Sequence, residues 1–476
     1  MQIVARRATA CLFAAAAVAG CAVGPNYQKP AITLAPFHAP LPGGVTSGGA
    51  PPPLDHWWDG FDDPELARIV GRALAQNLDL AAALARVDQA RAAAREAGAQ
   101  LLPTLDATAS ASWIHDSLES PIGSIGRHLP GFHRDGALYD LGAAASWEID
   151  LFGGLRRGSE AARAEAEAAE SARLGVRVSV AADAADAYLD VRGDQARLAV
   201  AQEQVATDER LRDLVRQRFT EGLGSAREAD QADALLAQAR ASLQPLRIDL
   251  EAELDRLDVL LAAQPGTYAA ELAGPGAIPA APTVGVLSPE AVLRRRPDVI
   301  AAERRLAASN ARIGQAIAEY YPKLSVAGLL GFESASADHL FRAATFRPEG
   351  VAGLRWRLFD FGKIDAEVAQ AKGVNAEALA EYRKSVLAAT EDVETAFTAL
   401  AELKAHEIDE DAQVAALTQA RDLSQRAYAS GAIPLTDVLD ANRQLLAAQD
   451  ELVKTRADVD RAAVRTFRAL GGGWSG

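Results

Sequence analysis

Two stretches of the chain alternate between polar and apolar residues, the first of them strictly. Thr104, Asp106, Thr108, Ser110 and Ser112 are polar while Leu105, Ala107, Ala109, Ala111 and Trp113 are not; Tyr139, Leu141, Ala143, Ala145, Trp147 and Ile149 are set against Asp140, Ser146, Glu148 and Asp150. A period of two predicts strands with one apolar face. The pattern returns in weaker form, with Leu324, Val326, Leu330 and Phe332 against Lys323, Ser325 and Glu333, and Leu354, Trp356 and Leu358 against Arg355 and Arg357. Four strands are therefore expected, at about 104–114, 139–151, 323–333 and 350–359. The first two runs are near the length that crosses a bilayer as a tilted strand, about 9 to 11 residues. A half-buried hairpin in a soluble domain would alternate in the same way, so the setting of the strands has to decide.

That setting is helical. From Trp57 and Trp58 to Gln100 the chain is Ala-rich, with Leu66, Ile69, Val70, Leu74, Leu78, Leu84 and Val87 placed on one side. After each second strand comes a proline-free stretch, Leu155 to Arg218 and Ile364 to Ala427, which as one helix at about 1.5 Å per residue would reach roughly 90 to 100 Å. Leu379, Tyr382, Val386, Ala389, Val393, Ala396, Leu400 and Leu403 alternate by three and four, the seam of a left-handed coiled coil. Each long helix turns back at a Gly-containing motif, Phe219-Thr220-Glu221-Gly222-Leu223-Gly224 and Tyr428-Ala429-Ser430-Gly431-Ala432-Ile433-Pro434. The returning helices carry columns spaced by seven, Leu236 to Leu257 and Val438, Leu445, Leu452, Val459, with Leu439, Leu446 and Val453 beside the second. Pro245 predicts a kink or break in the first of them.

The chain states this plan twice. Trp147, Phe152, Gly153, Tyr188, Phe219 and Gly222 recur as Trp356, Phe361, Gly362, Phe397, Tyr428 and Gly431, all at a separation of 209. Upstream, Val87, Ala90, Pro103 and Leu105 match Leu306, Ser309, Pro322 and Leu324 at 219, so the first copy carries ten extra residues between its strands. Self-similarity of this kind predicts two equivalent halves. The expected organisation is a signal peptide over 1–20, a tether over 21–56, a first repeat over 57–263, a connector over 264–289, a second repeat over 290–470 and a tail over 471–476.

The N-terminus reads as an export signal: Arg6 and Arg7, an apolar run from Ala8 to Val18, then Ala19-Gly20-Cys21. Small residues before a cysteine resemble a bacterial lipobox, in which Cys21 becomes the acylated first residue of the mature chain; an ordinary signal peptide with an incidental cysteine is the alternative. With Cys11 in the discarded segment and Cys21 lipidated, no intrachain disulfide supports the fold. A net charge of −15 without a Lys/Arg stripe argues against a nucleic-acid partner. No apolar run of about 18 residues follows the signal, so a membrane crossing falls to the strands. Four strands are too few for a barrel, which needs about eight, and open edges are not tolerated in lipid. Assembly with further copies is the expected answer, and three would supply twelve strands.

Cys21-Ala22-Val23-Gly24-Pro25-Asn26-Tyr27-Gln28-Lys29-Pro30, Trp57-Trp58, Phe61-Asp62-Asp63-Pro64-Glu65-Leu66, Arg295-Arg296-Pro297-Asp298-Val299 with Ala302-Glu303-Arg304, and Asp437-Val438-Leu439-Asp440-Ala441 together resemble the outer-membrane efflux lipoproteins, the TolC-like outer membrane factors that serve RND pumps. The resemblance spans nearly the whole mature chain. It implies an α+β membrane protein: a homotrimeric twelve-stranded β-barrel, four strands per chain, continuous with a long coiled-coil α-helical barrel that crosses the periplasm. It also implies a lipid-anchored position in the outer membrane of a Gram-negative bacterium, with a periplasmic adaptor protein and an inner-membrane RND transporter as partners.

Nothing in the chain calls for catalysis or a cofactor. The histidines are scattered without zinc-like spacing; His115, His128 and His133 share a loop with Asp116 and Asp135, where a metal site and a solvated loop are both open readings. Asp437 and Asp440, three apart just after Pro434, fall on one side of a helix, and by resemblance this turn lines the closed periplasmic end of the tunnel; first-turn aspartates stabilising the helix dipole is the structural alternative. The hairpin tips, Gly222, Gly224, Gly431 and Pro434, are the expected adaptor contacts. Efflux of drugs or other small toxic compounds through a passive duct is the function expected, ahead of an exit duct for one-step protein secretion and a non-transporting envelope lipoprotein.

Overall fold

Four strands form one antiparallel sheet in the order β1-β2-β3-β4: β1 Thr104–His115, β2 Asp135–Ile149, β3 Lys323–Ser334 and β4 Phe346–Arg355. The computed structural model describes residues 22–39, 52–274, 276–285 and 287–475; the expected signal peptide and Cys21 lie outside them. The helices are α1 Pro64–Gln76, α2 Leu78–Ala99, α3 Pro121–Gly126, α4 Gly154–Thr220, α5 Ala226–Leu260, α6 Ala269–Leu272, α7 Pro289–Arg295, α8 Pro297–Ala318, α9 Lys363–Ala429 and α10 Leu435–Ala469. α4 and α9 each have 67 residues and α5 and α10 each have 35. No described helix is long and apolar enough to cross a membrane.

The chain divides into two compact units that cut across the sequence halves. One comprises residues up to Pro30, Asp88–Ala168 and Glu303–Glu381; the other comprises Ala31–Val87, Ala169–Ala302 and Tyr382–Gly476.

The first unit holds the sheet. The segment after Cys21 is pinned to it: the Val23 amide donates to the Phe152 carbonyl at 3.0 Å, and Arg157 donates to the carbonyls of Val23 and Gly24 and to Asn26 Oδ1. Tyr27 and Lys29 both donate to Glu303, whose carboxyl burial would raise, but whose hydrogen bonds from these two and from Arg304 hold it below its ordinary value. Gly24 has φ +91°, and a Cβ there would sit 2.4 Å from the Gly314 backbone, so only glycine fits. The expected tether is therefore, over its first described residues, a strap built into the fold.

The second unit holds the main core. Trp57, Trp58 and Phe61 are buried, with Trp57 stacked on Phe467 at 5.3 Å, and Tyr188, Phe397, Leu400 and Leu257 fill the interior. Asp63 caps α1 through the amides of Glu65 and Leu66, with Pro64 in the first turn. Its other oxygen accepts from Tyr188 Oη at 2.6 Å, and Arg192 donates to the same hydroxyl. From Tyr382 to Leu400 the coiled-coil seam is buried, as are Val438, Leu445, Leu452 and Val459.

Several expected details differ. The helical run from Trp57 to Gln100 is broken at Asn77, which ends α1 and caps α2 by accepting from the amides of Asp79 and Leu80. Of the residues placed by sequence on the apolar side, Val87 is buried as expected, but Leu78 and Leu84 are exposed and α2 buries Ala83 beside Val87. α5 runs through Pro245 without a break; the proline is exposed, so water can serve the carbonyl left without its amide. β2 starts four residues early because β1 extends to His115, which pairs with Asp135. β4 covers 346–355 rather than 350–359, since its last partner is Lys323 and Pro322 before it has no amide to offer.

Candidate functional site: strand wall and helical turns

The register aligns one apolar face across all four strands. Leu105, Ala107, Ala109 and Ala111 stand opposite Ala145, Ala143, Leu141 and Tyr139. Across the next seam Trp147 meets Val326, Ala143 meets Leu330 and Leu141 meets Phe332, and then Leu324 meets Leu354 and Phe332 meets Phe346. The other face carries Ser110 opposite Asp140 opposite Glu333, with Thr104 opposite Ser146 and Lys323 opposite Arg355. A one-residue slip at any seam would mix the faces. Within the chain the apolar face stays in contact with solvent: Leu105, Trp113, Leu330 and Leu354 are all more than 60% exposed. β1 and β4 each pair on one side only among the described residues. Each hairpin base is tied by a tryptophan, Trp147 Nε1 donating to the Leu101 carbonyl and Trp356 Nε1 to that of Tyr320, both at 2.9 Å. These four residues obey the same 209 and 219 separations as the sequence match.

The helical turns pack together. Leu211, Val215 and Ala232 from α4 and α5 cluster with Tyr428, Leu435 and Val438 from α9 and α10. Gly222 and Gly431 take φ +77° and +76°, the left-handed close of each long helix, with the following amide returning to the carbonyl of Arg218 or Ala427. Gly222, Gly431 and Pro434 are exposed, and Gly224 is half-buried.

Asp437 and Asp440 are both exposed. Asp440 accepts from Arg443 and from Gln444, each at 2.6 Å, while Asp437 accepts from Thr436 Oγ1 at 3.4 Å. Pro434 occupies the cap position of α10 with no side-chain cap bond, so neither aspartate caps this helix; their interaction with the dipole remains. The first turn is built differently. Ser225 and Glu228 form a reciprocal capping box, and Gln231, at the position matching Asp440, has a buried Oε1 with no partner.

Sequence reading missed Arg218. Its Nη1 donates to the carbonyls of Tyr428 and Ala429, closing the end of α9, and its guanidinium lies 4.8 Å over the Tyr428 ring. The matching position in the second half is Ala427, so the asymmetry itself was the available signal. Also missed were two acids of the helical core, Asp190 half-buried and Asp460 buried. Burial pushes Asp190 up to about 7, with Arg461 pulling it back and Asp186 and Glu253 pushing further. Burial likewise pushes Asp460 up to about 8, with Glu407 adding to the shift. In the strand loop, His115 Nδ1 lies 2.6 Å from Asp135, and His128 pairs with Arg127.

Strands with one apolar and one polar face, in the same chain as polar helices of 67 residues, define an outer-membrane protein with a large water-facing helical part. The outer membrane efflux protein model matches residues 69–263 and 288–472, and the chain belongs to that family. It is the outer-membrane channel component of an efflux pump. It is similar to the pyoverdine export outer membrane protein OpmQ of Pseudomonas aeruginosa, 32% identical over 421 residues and 88% of each chain. It is also similar to the solvent efflux pump outer membrane protein SrpC of Pseudomonas putida, 30% identical over 98% of each. Among solved structures, the outer-membrane channel OprN superposes with a TM-score of 0.86 at 32% identity, covering 95% of this chain and 100% of that one.

Proposed function

We propose that three copies close their sheets into a twelve-stranded barrel and their helices into a tunnel, and that this homotrimer is a passive exit duct for small toxic compounds. The observation that carries the reading is the apolar face that runs unbroken across four strands whose outer edges are open. Such edges must be paired in lipid, and twelve strands satisfy the closure that four cannot. The names of relatives, one exporting pyoverdine and one solvents, support a small-molecule cargo. The matched halves, with equal helices and repeated tryptophan hydrogen bonds, support two internal repeats within each copy.

The exposed turns at Gly222, Gly224, Gly431 and Pro434 are the surface we assign to a periplasmic adaptor, which links the duct to an inner-membrane RND transporter. Three Asp437–Asp440 pairs form the ring that closes the periplasmic end, with Arg443 and Gln444 offsetting part of its self-repulsion. Cys21 is the lipid attachment: Val23, two residues on, is bonded to Phe152 just past β2, which favours acyl chains lying beside the membrane end of that strand.

Purified protein reconstituted in a planar bilayer is expected to conduct as a trimer, and deletion is expected to raise drug accumulation in cells. A chain that inserts without conductance would leave only an envelope-bracing role. Cys21→Ser should abolish labelling by a fatty-acid probe while efflux falls less, since a closed barrel holds itself in lipid; labelling that survives removes the anchor assignment.

A further inference from the structure

The residues after α10 fold back onto the helical core and bring unmatched donors with them. Gly471 turns the chain with φ +75°, the Gly472 amide returns to the Phe467 carbonyl at 2.8 Å, and the Gly473 amide donates to the Leu54 carbonyl at 2.7 Å. A Cβ at Gly472 would lie 2.8 Å from Trp57 and 2.9 Å from the Phe467 carbonyl, so only glycine lets the tail pass there. This path sets two consecutive carbonyls against two arginines. Arg177 Nε, from α4, donates to the Gly473 carbonyl at 2.8 Å, and Arg295 Nη2, at the end of α7, donates to that of Trp474 at 2.6 Å. The Arg295 guanidinium lies 5.8 Å from the Trp474 ring centroid. All three side chains belong to half-buried residues, so solutes can reach them.

Neither Arg177 nor Arg295 has a carboxylate partner among the described residues. Their neighbours do: Arg296, the next residue along, holds both Asp298 and Asp392, and Arg173, one turn before Arg177, holds Glu170. Burial pushes the Arg177 guanidinium below its ordinary value, and Arg173 adds to the push. Two buried nitrogens, Arg295 Nε and Trp474 Nε1, also have no acceptor among the described residues. Both are N–H donors that cannot accept, and buried donors are almost always matched. A neutral acceptor would answer these hydrogen bonds and leave the charge uncompensated. We infer that the fork of Arg295 and the indole of Trp474, with Arg177 one carbonyl away, form a binding site for an oxyanion, a carboxylate or a phosphate. Such a group offers several lone pairs to the two orphaned donors and a negative charge to the guanidiniums. Bound there, it ties the tail to α4 and α7 at once. The site lies within one chain and stands apart from the trimer reading.

The test is calorimetric titration of the purified full chain in detergent with sodium phosphate and, separately, sodium acetate, against sodium chloride at equal ionic strength. At least one of the two oxyanions should bind saturably and raise the thermal unfolding midpoint. Phosphate ahead of acetate supports the site and identifies a phosphate ligand, while acetate ahead of phosphate supports it and identifies a carboxylate. Trp474→Phe keeps an aromatic ring and removes the indole donor, so it should weaken binding about fivefold; Arg295→Gln, which removes the charge and the fork, should weaken it more than about tenfold. Heats no larger than those of chloride for both oxyanions would overturn the proposal. Saturable binding left intact by Trp474→Phe and by Arg295→Gln would overturn it as well, since the anion then sits elsewhere. Should Arg295→Gln fail to fold, Trp474→Phe alone decides between these outcomes.

Discussion

Replacing Arg296 with alanine removes four hydrogen bonds at once. Nε and Nη2 grip both oxygens of Asp298 at 2.9 and 2.7 Å, Nη2 also reaches Asp392 at 2.7 Å, and Nη1 donates to the Ala469 carbonyl at 3.1 Å. Arg296 itself is buried, but the side chains of Asp298 and Asp392 are 48% and 55% exposed. Water takes over at those carboxylates, so each ion pair is discounted to about 0.5–1 kcal/mol. The Ala469 carbonyl closes α10 at a buried position, and leaving it without a donor costs about 1–3 kcal/mol. The expected loss for Arg296→Ala is therefore about 2–5 kcal/mol, with Arg296→Lys intermediate because an ammonium cannot serve the fork and the carbonyl together. Asn77 does the matching work in the first half, its Nδ2 donating to the Leu260 carbonyl at 3.0 Å; both pairs keep the 209 and 219 separations. Asn77→Ala should cost about 2–3 kcal/mol through that bond and its cap on α2. Denaturant unfolding followed by helical circular dichroism checks all three. A loss below about 1 kcal/mol for Arg296→Ala, or a lysine variant as weak as the alanine one, would refute the reasoning.

Three further outcomes are expected. Leu141→Arg or Trp147→Arg puts a charge on the apolar face, costing roughly 2–4 kcal/mol near the bilayer midplane, whereas Ser110→Arg meets water; equal loss of trimer yield from both faces contradicts the wall. Asp437→Ala combined with Asp440→Ala should weaken cation selectivity and block by multivalent cations in bilayer recordings, and wild-type behaviour removes the ring. Burial, helped by Glu407 and opposed by Lys404 and a backbone hydrogen bond at Ala281, holds Asp460 at about 8, above the ordinary 3.8. The folded chain thus keeps a proton the unfolded chain has lost, so the stability from this group is full below about pH 4 and is lost as pH rises to about 8. Asp460→Asn should match the parent near pH 4 and exceed it above pH 8; a parallel pH profile for the two refutes this assignment.

The strands were legible because a period of two survives in Leu105 to Trp113 even where alanine is the apolar residue. Separations of 209 and 219 also carried the register, since Thr104 opposite Ser146 returns as Lys323 opposite Arg355. The glycines of the turns were legible from their place after helical runs. Other features depended on partners distant in sequence. Arg218 reads as an ordinary helix-end cation until α9 is beside it, and Asp460 reads as a surface acid until it is buried. The two compact units were invisible because four of their five boundaries fall inside α2, α4, α8 and α9, where nothing in the residues interrupts the helix. Asn77 showed the opposite limit, a cap placed between two helical patterns that join smoothly in composition.

The two open edges set the order in which this protein can be made. The buried core between the helices of one chain forms within one polypeptide and at any concentration, whereas in the proposed trimer the sheet is finished only by encounter between copies. Barrel completion should therefore rise more steeply than linearly with the supply of exported chains. Chains waiting for partners carry bare backbone donors and acceptors beside an apolar face, the combination most prone to mispairing. Low expression then lengthens the interval during which each new chain depends on an escort or on the membrane surface for protection.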